Sequence, residues 1–219
     1  MNAKMLGLFS GFPARAFPEA VAKTLKPVLT VRKSLVFVSA WPDEYVQNDR
    51  DAAGMHGMFA AWDMAFCEFC VIDRRMNADE AQRRIQGADC IFLMGGHATQ
   101  QMQMIKALGI AAPIRQSAAV ILGVSAGASN MAKRALDIWE SPVPYEGLGL
   151  TDMTIKAHVT SADQPLLQML QEISAVQRLP VFAMADESAV FVTADSTACV
   201  GEIRKIENGT TKPLTVAAD

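Results

Sequence analysis

The sequence AAVILGVSAGASNMAKRA, residues 118–135, sets the architecture expected for this chain. It starts with an unbroken apolar run over Ala118–Leu122, turns through GVSAG, and continues as a predicted helix over Ala128–Leu136. A strand, a small-residue turn with one serine and a helix form the nucleophile-elbow pattern G-x-S-x-G. Because the serine of such an elbow is held in a strained backbone conformation, its neighbours must be small. The pattern predicts Ser125 as a nucleophile; the alternative is a chance match in a Gly/Ala-rich packing turn.

The composition indicates a globular domain and argues against several classes of partner. The chain has 219 residues, of which 51% are hydrophobic and 20% charged, so we expect one α/β domain over residues 1–219. The net charge of −3 without a basic block argues against nucleic acid as a partner. No apolar run approaches the ~20 residues that span a bilayer. The N-terminal segment MNAKMLGLFSGFPAR is interpreted as a first strand rather than as a signal peptide.

The cysteine pattern favours a reducing compartment. Four cysteines lie mostly in apolar segments, and we interpret them as buried reduced thiols of a cytoplasmic protein. The pair Cys67-x-x-Cys70 has no second pair nearby and lies in a strand-like segment, so packing is the preferred interpretation. The sequence also has no His-Glu-x-x-His pattern and no paired His/Cys cluster, so we expect no metal and no cofactor.

Apolar runs alternate with helical segments along the first 136 residues, which predicts a doubly wound, mostly parallel sheet flanked by helices. The predicted strands are Lys4–Ser10, Ser34–Ala40, Cys67–Asp73, Asp89–Met94 and the elbow strand. The predicted helices are Phe17–Lys26, Asn48–Phe66, Asn77–Gly87 with Asn77 as N-cap, Thr99–Leu108 and the helix after the elbow. Further on we expect a strand over Met153–Val159 and a helix over Pro165–Gln177 that opens with a capping box at Ser161. Short segments at 181–184, 189–193 and 198–206, and a turn at Asn208-Gly209, predict a small antiparallel extension at one sheet edge.

The sequence offers three histidines as a base for Ser125: His56, His97 and His158. His56 lies inside a predicted helix and is interpreted as a surface or packing residue. His158 ends the strand TIKAHV and precedes a polar turn, where a base can reach an elbow serine. We therefore prefer His158 as the general base; the alternative is a structural histidine at a strand end.

Two further strand ends complete a predicted site. Gly95-Gly96-His97 ends the strand expected beside the elbow strand, so its backbone N–H groups and the N–H of Ala126 can form an oxyanion hole. A glycine turn that merely starts the next helix is the alternative. Asp186-Glu187-Ser188 follows the segment 181–185 and offers a carboxylate to orient His158. The chain order serine, histidine, acid differs from that of α/β-hydrolases, in which the acid precedes the histidine.

Taken together, four stretches resemble the peptidase E family of α-aspartyl dipeptidases and cyanophycinases. They are IFLMGGHATQ (91–100), ILGVSAGAS (121–129), TIKAHV (154–159) and FAMADESAV (182–190). The resemblance implies a class I glutamine amidotransferase-like, flavodoxin-like fold with serine in place of cysteine. It also implies Ser125 as nucleophile, His158 as base and Glu187 as acid, with oxyanion-hole amides from Gly96 and Ala126.

The chain departs from the family pattern at three places. His97 replaces a family glycine and brings an imidazole to the mouth of the oxyanion hole, so we count it as a substrate-binding candidate. Val159 replaces an aromatic residue after the histidine. Ser188 follows Glu187 where the family often has glycine, and Asp186 is a rival for the acid.

These features predict a cytoplasmic serine peptidase for short peptides, with dipeptides carrying N-terminal Asp as candidate substrates and a homodimer as one expected assembly. A cation for such an acidic side chain has to come from one of five basic residues. They are Arg115, Lys133, Arg134, Lys156 and Arg178. Two alternatives stay open: a non-catalytic binding protein of the same fold, motivated by His97, and a serine hydrolase for a non-peptide acyl substrate. A glutaminase is disfavoured, because those enzymes use the more nucleophilic cysteine thiolate.

Overall fold

The computed structural model describes residues 5–214, so Lys4 of the first predicted strand lies outside the described part. The strands are β1 (Met5–Phe9), β2 (Ser34–Ala40), β3 (Glu68–Ile72), β4 (Cys90–Gly96), β5 (Val120–Val124), β6 (Arg134–Asp137), β7 (Ser141–Glu146), β8 (Thr154–Lys156), β9 (Val181–Met184), β10 (Ala189–Val192), β11 (Thr197–Val200), β12 (Ile203–Glu207) and β13 (Thr210–Pro213). The helices are α1 (Glu19–Leu25), α2 (Tyr45–Ala60), α3 (Ala78–Gln86), α4 (Ala98–Ala107), α5 (Ala111–Gln116), α6 (Ala126–Asn130) and α7 (Gln164–Gln177).

A seven-stranded sheet in the order β11-β10-β1-β5-β4-β2-β3 forms the centre of the fold. Strands β1 to β5 run parallel, and β10 and β11 are antiparallel additions beside β1. The apolar runs of β1, β2, β4 and β5 are almost wholly buried, as expected for parallel strands covered on both faces. Residues of α1 and α2 join the core on one face, and residues of α3, α4 and α5 join it on the other. This confirms the predicted α/β class.

The prediction of a long helix after the elbow is wrong. Helix α6 ends at Asn130, and the chain then forms the hairpin of β6 and β7. The physical reason is tertiary hydrogen bonding: the carbonyls of Asn130 and Met131 accept from the backbone N–H groups of Leu148 and Leu150. Those two carbonyls therefore bond outside the helix, which ends there. The small and apolar residues of 128–136 gave no local sign of this.

Two other elements also differ from prediction. Helix α5 was not predicted from the sequence; its Pro113 lies in the first turn, where a missing N–H costs nothing. The expected strand over 198–206 is two strands, β11 and β12, separated at Gly201. Gly201 has φ 80°, and its Cα lies against Ser188, so the chain turns sharply between the two sheets. The N-cap at Asn77 is confirmed, with its side chain accepting from the Glu80 N–H.

The C-terminal third builds a second sheet as well as extending the first. Its order is β13-β12-β9-β8, with β8 and β9 parallel and the other pairs antiparallel. The predicted antiparallel extension at the sheet edge is therefore only β10 and β11. The parallel pair β8 and β9 ends next to the C-terminal edge of the main sheet, which positions the residues that follow both strands. Among residues 5–214, no helix has the length and apolar character needed to cross a membrane.

Candidate active site

Ser125 occupies a tight elbow between β5 and α6. Its backbone has φ 51° and ψ −110°, a conformation that is rare for a residue with a side chain and that stores roughly 1–3 kcal/mol of strain. Its N–H donates to the carbonyl of Phe9 at the end of β1 (2.9 Å), which fixes the turn to the neighbouring strand. A Cβ at Gly123 would lie 2.7 Å from the Gly127 carbonyl carbon, and one at Gly127 would overlap the Leu93 backbone. The structure thus explains why small residues surround Ser125.

His158 and Asp186 form a hydrogen-bonded line with this serine. The Ser125 Oγ lies 3.0 Å from His158 Nε2, and His158 Nδ1 lies 2.6 Å from Asp186 Oδ1. A proton on Nδ1 held by the carboxylate leaves Nε2 free to accept the serine proton. The His158 and Asp186 side chains are 50% and 40% exposed, so a substrate can reach the imidazole from solvent.

The register of the second sheet brings His158 and Asp186 together. Strands β8 and β9 are parallel, with Lys156 opposite Ala183, so the segments that follow the two strands leave the sheet at the same end. The N–H of Val159 then donates to the Met184 carbonyl (2.9 Å), which holds the two segments side by side just beyond the strands. The base and its carboxylate are therefore positioned by strand pairing.

Two residues at the end of β1 support the pair and were missed from the sequence. The Ser10 Oγ accepts from the His158 N–H (2.8 Å) and donates to the Met184 carbonyl (3.0 Å). Gly11 lies so close that a Cβ there would be 2.6 Å from Asp186 Oδ1 and 2.7 Å from His158 Cε1. The only available signal was the Ser-Gly pair directly after a buried strand, where parallel sheets gather their functional groups.

The structure places Asp186, and not Glu187, at the histidine. Glu187 is exposed, has φ 65°, and donates its N–H to the Gly11 carbonyl (2.8 Å). Among the described residues, its carboxylate makes no hydrogen bond or ion pair. The geometry therefore favours Asp186 over Glu187 as the partner of His158, because the turn after β9 directs only one of the two carboxylates to His158 Nδ1.

Gly96 and Ala126 lie beside Ser125, as the oxyanion-hole prediction requires. Ala126 is the first residue of α6, so its N–H has no partner within the helix. Strand β4 pairs with β5, and a Cβ at Gly95 would lie 3.6 Å from the Ser125 Cβ. Gly96 has φ 138°, and the Trp41 ring packs directly on its Cα, so no side chain fits there. Both residues line one small cavity together with Ser125 and His158.

That cavity, of about 70 Å³, also contains a buried cation. Lys156 is 8% exposed, and its Nζ donates to the Ala157 carbonyl (3.0 Å) and lies 5.9 Å from the centre of the Trp139 ring. Burial lowers the pKa of Lys156, and the negative charges of Asp137 and Asp163 partly offset this. The other four cationic candidates, Arg115, Lys133, Arg134 and Arg178, are exposed and do not line this cavity. Trp139, on the hairpin of β6 and β7, was not predicted because the hairpin was not.

His97 lies next to the cavity but is not one of its lining residues. Its ring meets the edge of Trp41 with centroids 4.3 Å apart, and its Nδ1 lies 3.7 Å from Glu140 Oε1. His56 lies in α2, where its ring contacts the backbone of Phe66. Within residues 5–214, no cluster of three or more His, Cys, Asp or Glu side chains could hold a metal ion.

Comparison with known proteins identifies the family. The sequence profile of Peptidase family S51 matches residues 16–200. The chain belongs to peptidase family S51, the peptidase E family. Family S51 members are serine-type peptidases, so the predicted class of enzyme is confirmed, and a non-catalytic binding protein is disfavoured.

Two solved structures share the S51 fold with this chain. The crystal structure of a peptidase from an acI-B1 Actinobacterium is 14% identical, with a TM-score of 0.74, over 99% of this chain and 96% of that one. The 1.5 Å structure of a putative peptidase E protein from Listeria monocytogenes EGD-e is 16% identical, with a TM-score of 0.65, over 97% of this chain and 99% of that one. Among curated protein sequences, none matches this chain significantly.

Proposed function

We propose that this S51 peptidase hydrolyses short peptides by an acyl-enzyme mechanism with Ser125 as nucleophile, His158 as base and Asp186 as the carboxylate that orients the base. The observation that carries the proposal is the continuous line from Ser125 Oγ through both imidazole nitrogens to Asp186 Oδ1 (3.0 and 2.6 Å). A strained serine, a histidine and a carboxylate in that geometry have the mutual distances that nucleophilic catalysis requires.

The reaction follows from these positions. His158 Nε2 takes the proton of the Ser125 hydroxyl as its oxygen attacks the peptide carbonyl carbon. The negative charge that develops on the carbonyl oxygen is stabilised by the N–H groups of Gly96 and Ala126. His158 then donates the proton to the leaving amine, and the C–N bond breaks. Water, deprotonated by the same imidazole, hydrolyses the acyl-enzyme and regenerates the serine.

Lys156 supports a preference for an acidic residue on the acyl side of the scissile bond. Lys156 lines the cavity that Ser125 and both oxyanion-hole residues also line, and its Nζ lies near the Ala157 carbonyl and the Trp139 ring of the same lining. A buried ammonium with a single backbone acceptor is poorly solvated, so a substrate carboxylate that pairs with it there is favoured. Of the five cations that the sequence offered, Lys156 is therefore the one we assign to an N-terminal aspartyl side chain.

The test is hydrolysis of a dipeptide panel, Asp-X against Asn-X and Ala-X, by wild type, Ser125→Ala and Lys156→Met. We expect cleavage of Asp-X by the wild type, none by Ser125→Ala, and a loss of the Asp-over-Asn preference in Lys156→Met. Lys133→Met, a change at an exposed lysine, is the matched control and should keep the preference. Cleavage of Asn-X and Ala-X as fast as Asp-X would refute the acidic preference, and cleavage by Ser125→Ala would refute the mechanism.

A further inference from the structure

A second cavity adjoins the elbow on the α2 side. Its volume is about 190 Å³. It is lined by Phe12, Arg15, Arg50, Asp51, Gly54, Met55, Met58 and Val124. It shares no lining residue with the cavity that holds Lys156. Both cavities border the elbow, since Val124 lines one and the next residue, Ser125, lines the other.

The position of this cavity assigns it to the leaving-group side of the scissile bond. Phe12 follows Gly11, which packs against the imidazole of His158. The leaving amine must lie at that imidazole to receive its proton. Phe12, the residue after Gly11, lines this cavity, which places the cavity beside the imidazole and therefore beside the leaving amine.

The charges in this cavity favour an anion. Arg15 and Arg50 are exposed, and within the described residues neither has an acidic partner. The one carboxylate in the lining, Asp51, accepts a hydrogen bond from the Gln47 side chain (2.8 Å). The rest of the lining is apolar, with Phe12 and two methionines. Two arginines at the rim of an apolar pocket suit a ligand with a carboxylate at one end and a side chain of variable, apolar character.

Gly54 keeps this cavity open. It lies in the middle of α2 without a left-handed φ, and a Cβ there would meet no atom within 4 Å of the described structure. Glycine in a helix interior costs about 1 kcal/mol relative to alanine. No neighbouring atom lies close enough to explain why a glycine, and not a larger residue, occupies this position. Gly54 is one of the residues that line the cavity, so a larger side chain at this position would narrow the space available there.

We propose that this cavity binds the residue on the leaving-group side of the scissile bond and that Arg15 and Arg50 hold its C-terminal carboxylate. The inference rests on the peptidase mechanism proposed above. Such a carboxylate site makes the enzyme selective for substrates that end one residue after the cleaved bond. A longer peptide has an uncharged amide at the position where the two arginines would bind the carboxylate. Charge-assisted hydrogen bonds to a carboxylate are roughly twice as strong as neutral ones.

The experiment compares the best dipeptide of the panel with the same dipeptide as its C-terminal amide. For wild type, we expect kcat/KM for the free acid to exceed that for the amide at least tenfold. In Arg15→Gln/Arg50→Gln the ratio should fall to about one. Arg115→Gln, a change at an exposed arginine on α5, is the matched control and should keep the wild-type ratio.

A pair of glycine variants tests the cavity itself. Gly54→Leu adds a side chain at a position that lines the cavity, whereas Gly57→Leu adds the same side chain to α2 at a position that does not line it. We expect Gly54→Leu to lose at least tenfold in kcat/KM for the dipeptide and still react with a small fluorophosphonate at Ser125. Gly57→Leu should retain the hydrolysis.

The outcomes separate this inference from the proposed mechanism. If Ser125 reacts with the fluorophosphonate and the wild type does not distinguish acid from amide, the carboxylate subsite is wrong and the mechanism stands. If the wild type distinguishes them and the double arginine variant does so equally, the carboxylate is bound elsewhere and the assignment is overturned. If neither peptide is hydrolysed, the subsite is overturned, and the absence of fluorophosphonate labelling would then also overturn the mechanism.

Discussion

Replacing Asp186 by asparagine removes the negative charge that faces the imidazolium formed during the reaction. The Nδ1–Oδ1 distance is 2.6 Å, which puts the centres of the two delocalised charges about 4 Å apart. At an effective dielectric constant of about 20, their attraction is about 4 kcal/mol. Because the two side chains are 50% and 40% exposed, solvent reduces this attraction to roughly 1–3 kcal/mol. Each 1.36 kcal/mol changes a rate tenfold, so we expect Asp186→Asn to lower kcat about 5- to 150-fold.

The assay is steady-state hydrolysis of the preferred dipeptide, with Glu187→Gln as the matched control. The control removes a carboxylate one residue away that has no partner among the described residues, so its kcat should stay within about twofold of wild type. Urea denaturation of both variants checks that the fold is intact. A large loss in Glu187→Gln together with near-normal activity in Asp186→Asn would refute the assignment and restore Glu187 as the acid.

Three further predictions concern packing and charge around the site. Gly11→Ala puts a methyl group 2.7 Å from His158 Cε1, so we expect kcat to fall at least 100-fold with little change in thermal stability; a fully active variant would contradict this packing. In Gly127→Ala the added methyl group overlaps the backbone of Leu93, so we expect the free energy of unfolding, measured by urea denaturation, to fall by about 3 kcal/mol. A change as small as that of an ordinary surface substitution would contradict this contact. Lys156→Met removes a buried ammonium whose pKa is lowered by burial, so the free energy of unfolding at pH 7 should rise by about 1 kcal/mol. The buried charge destabilises the folded wild type fully below the lowered pKa, and less as the pH approaches the ordinary lysine value of 10.5. The increase in the free energy of unfolding caused by Lys156→Met should therefore be smaller at pH 10 than at pH 7, and an equal increase at both would contradict the charge argument.

That Ser125 and His158 lie together could be predicted from the sequence because their signals are local. The small residues around Ser125 reflect close contacts of the elbow, since a Cβ at Gly123 would overlap the backbone of Gly127 and one at Gly127 would overlap Leu93 of the neighbouring strand β4. His158 could be selected because it ends a strand that a polar turn follows. Both inferences need only the alternation of apolar runs and the rule that functional groups gather at strand ends.

The choice of acid could not be made in this way. Asp186 and Glu187 are adjacent in sequence and follow the same strand, so the local sequence does not show which of the two carboxylates faces His158. The turn that directs one carboxylate to His158 depends on Gly11, which comes from the opposite end of the chain. The hairpin carrying Trp139 was missed for a similar reason, since hydrogen bonds from residues 147–151 end the preceding helix. Long-range contacts decide both features.

The central claim is that Ser125 is the nucleophile activated by His158. Its most direct test is the site of modification after treatment with a fluorophosphonate probe, located by peptide mass spectrometry in wild type, Ser125→Ala and His158→Ala. We expect a single adduct on Ser125 in the wild type, none in Ser125→Ala and a strongly slowed reaction in His158→Ala. An unmodified wild-type protein, or an adduct on any other residue, would contradict it.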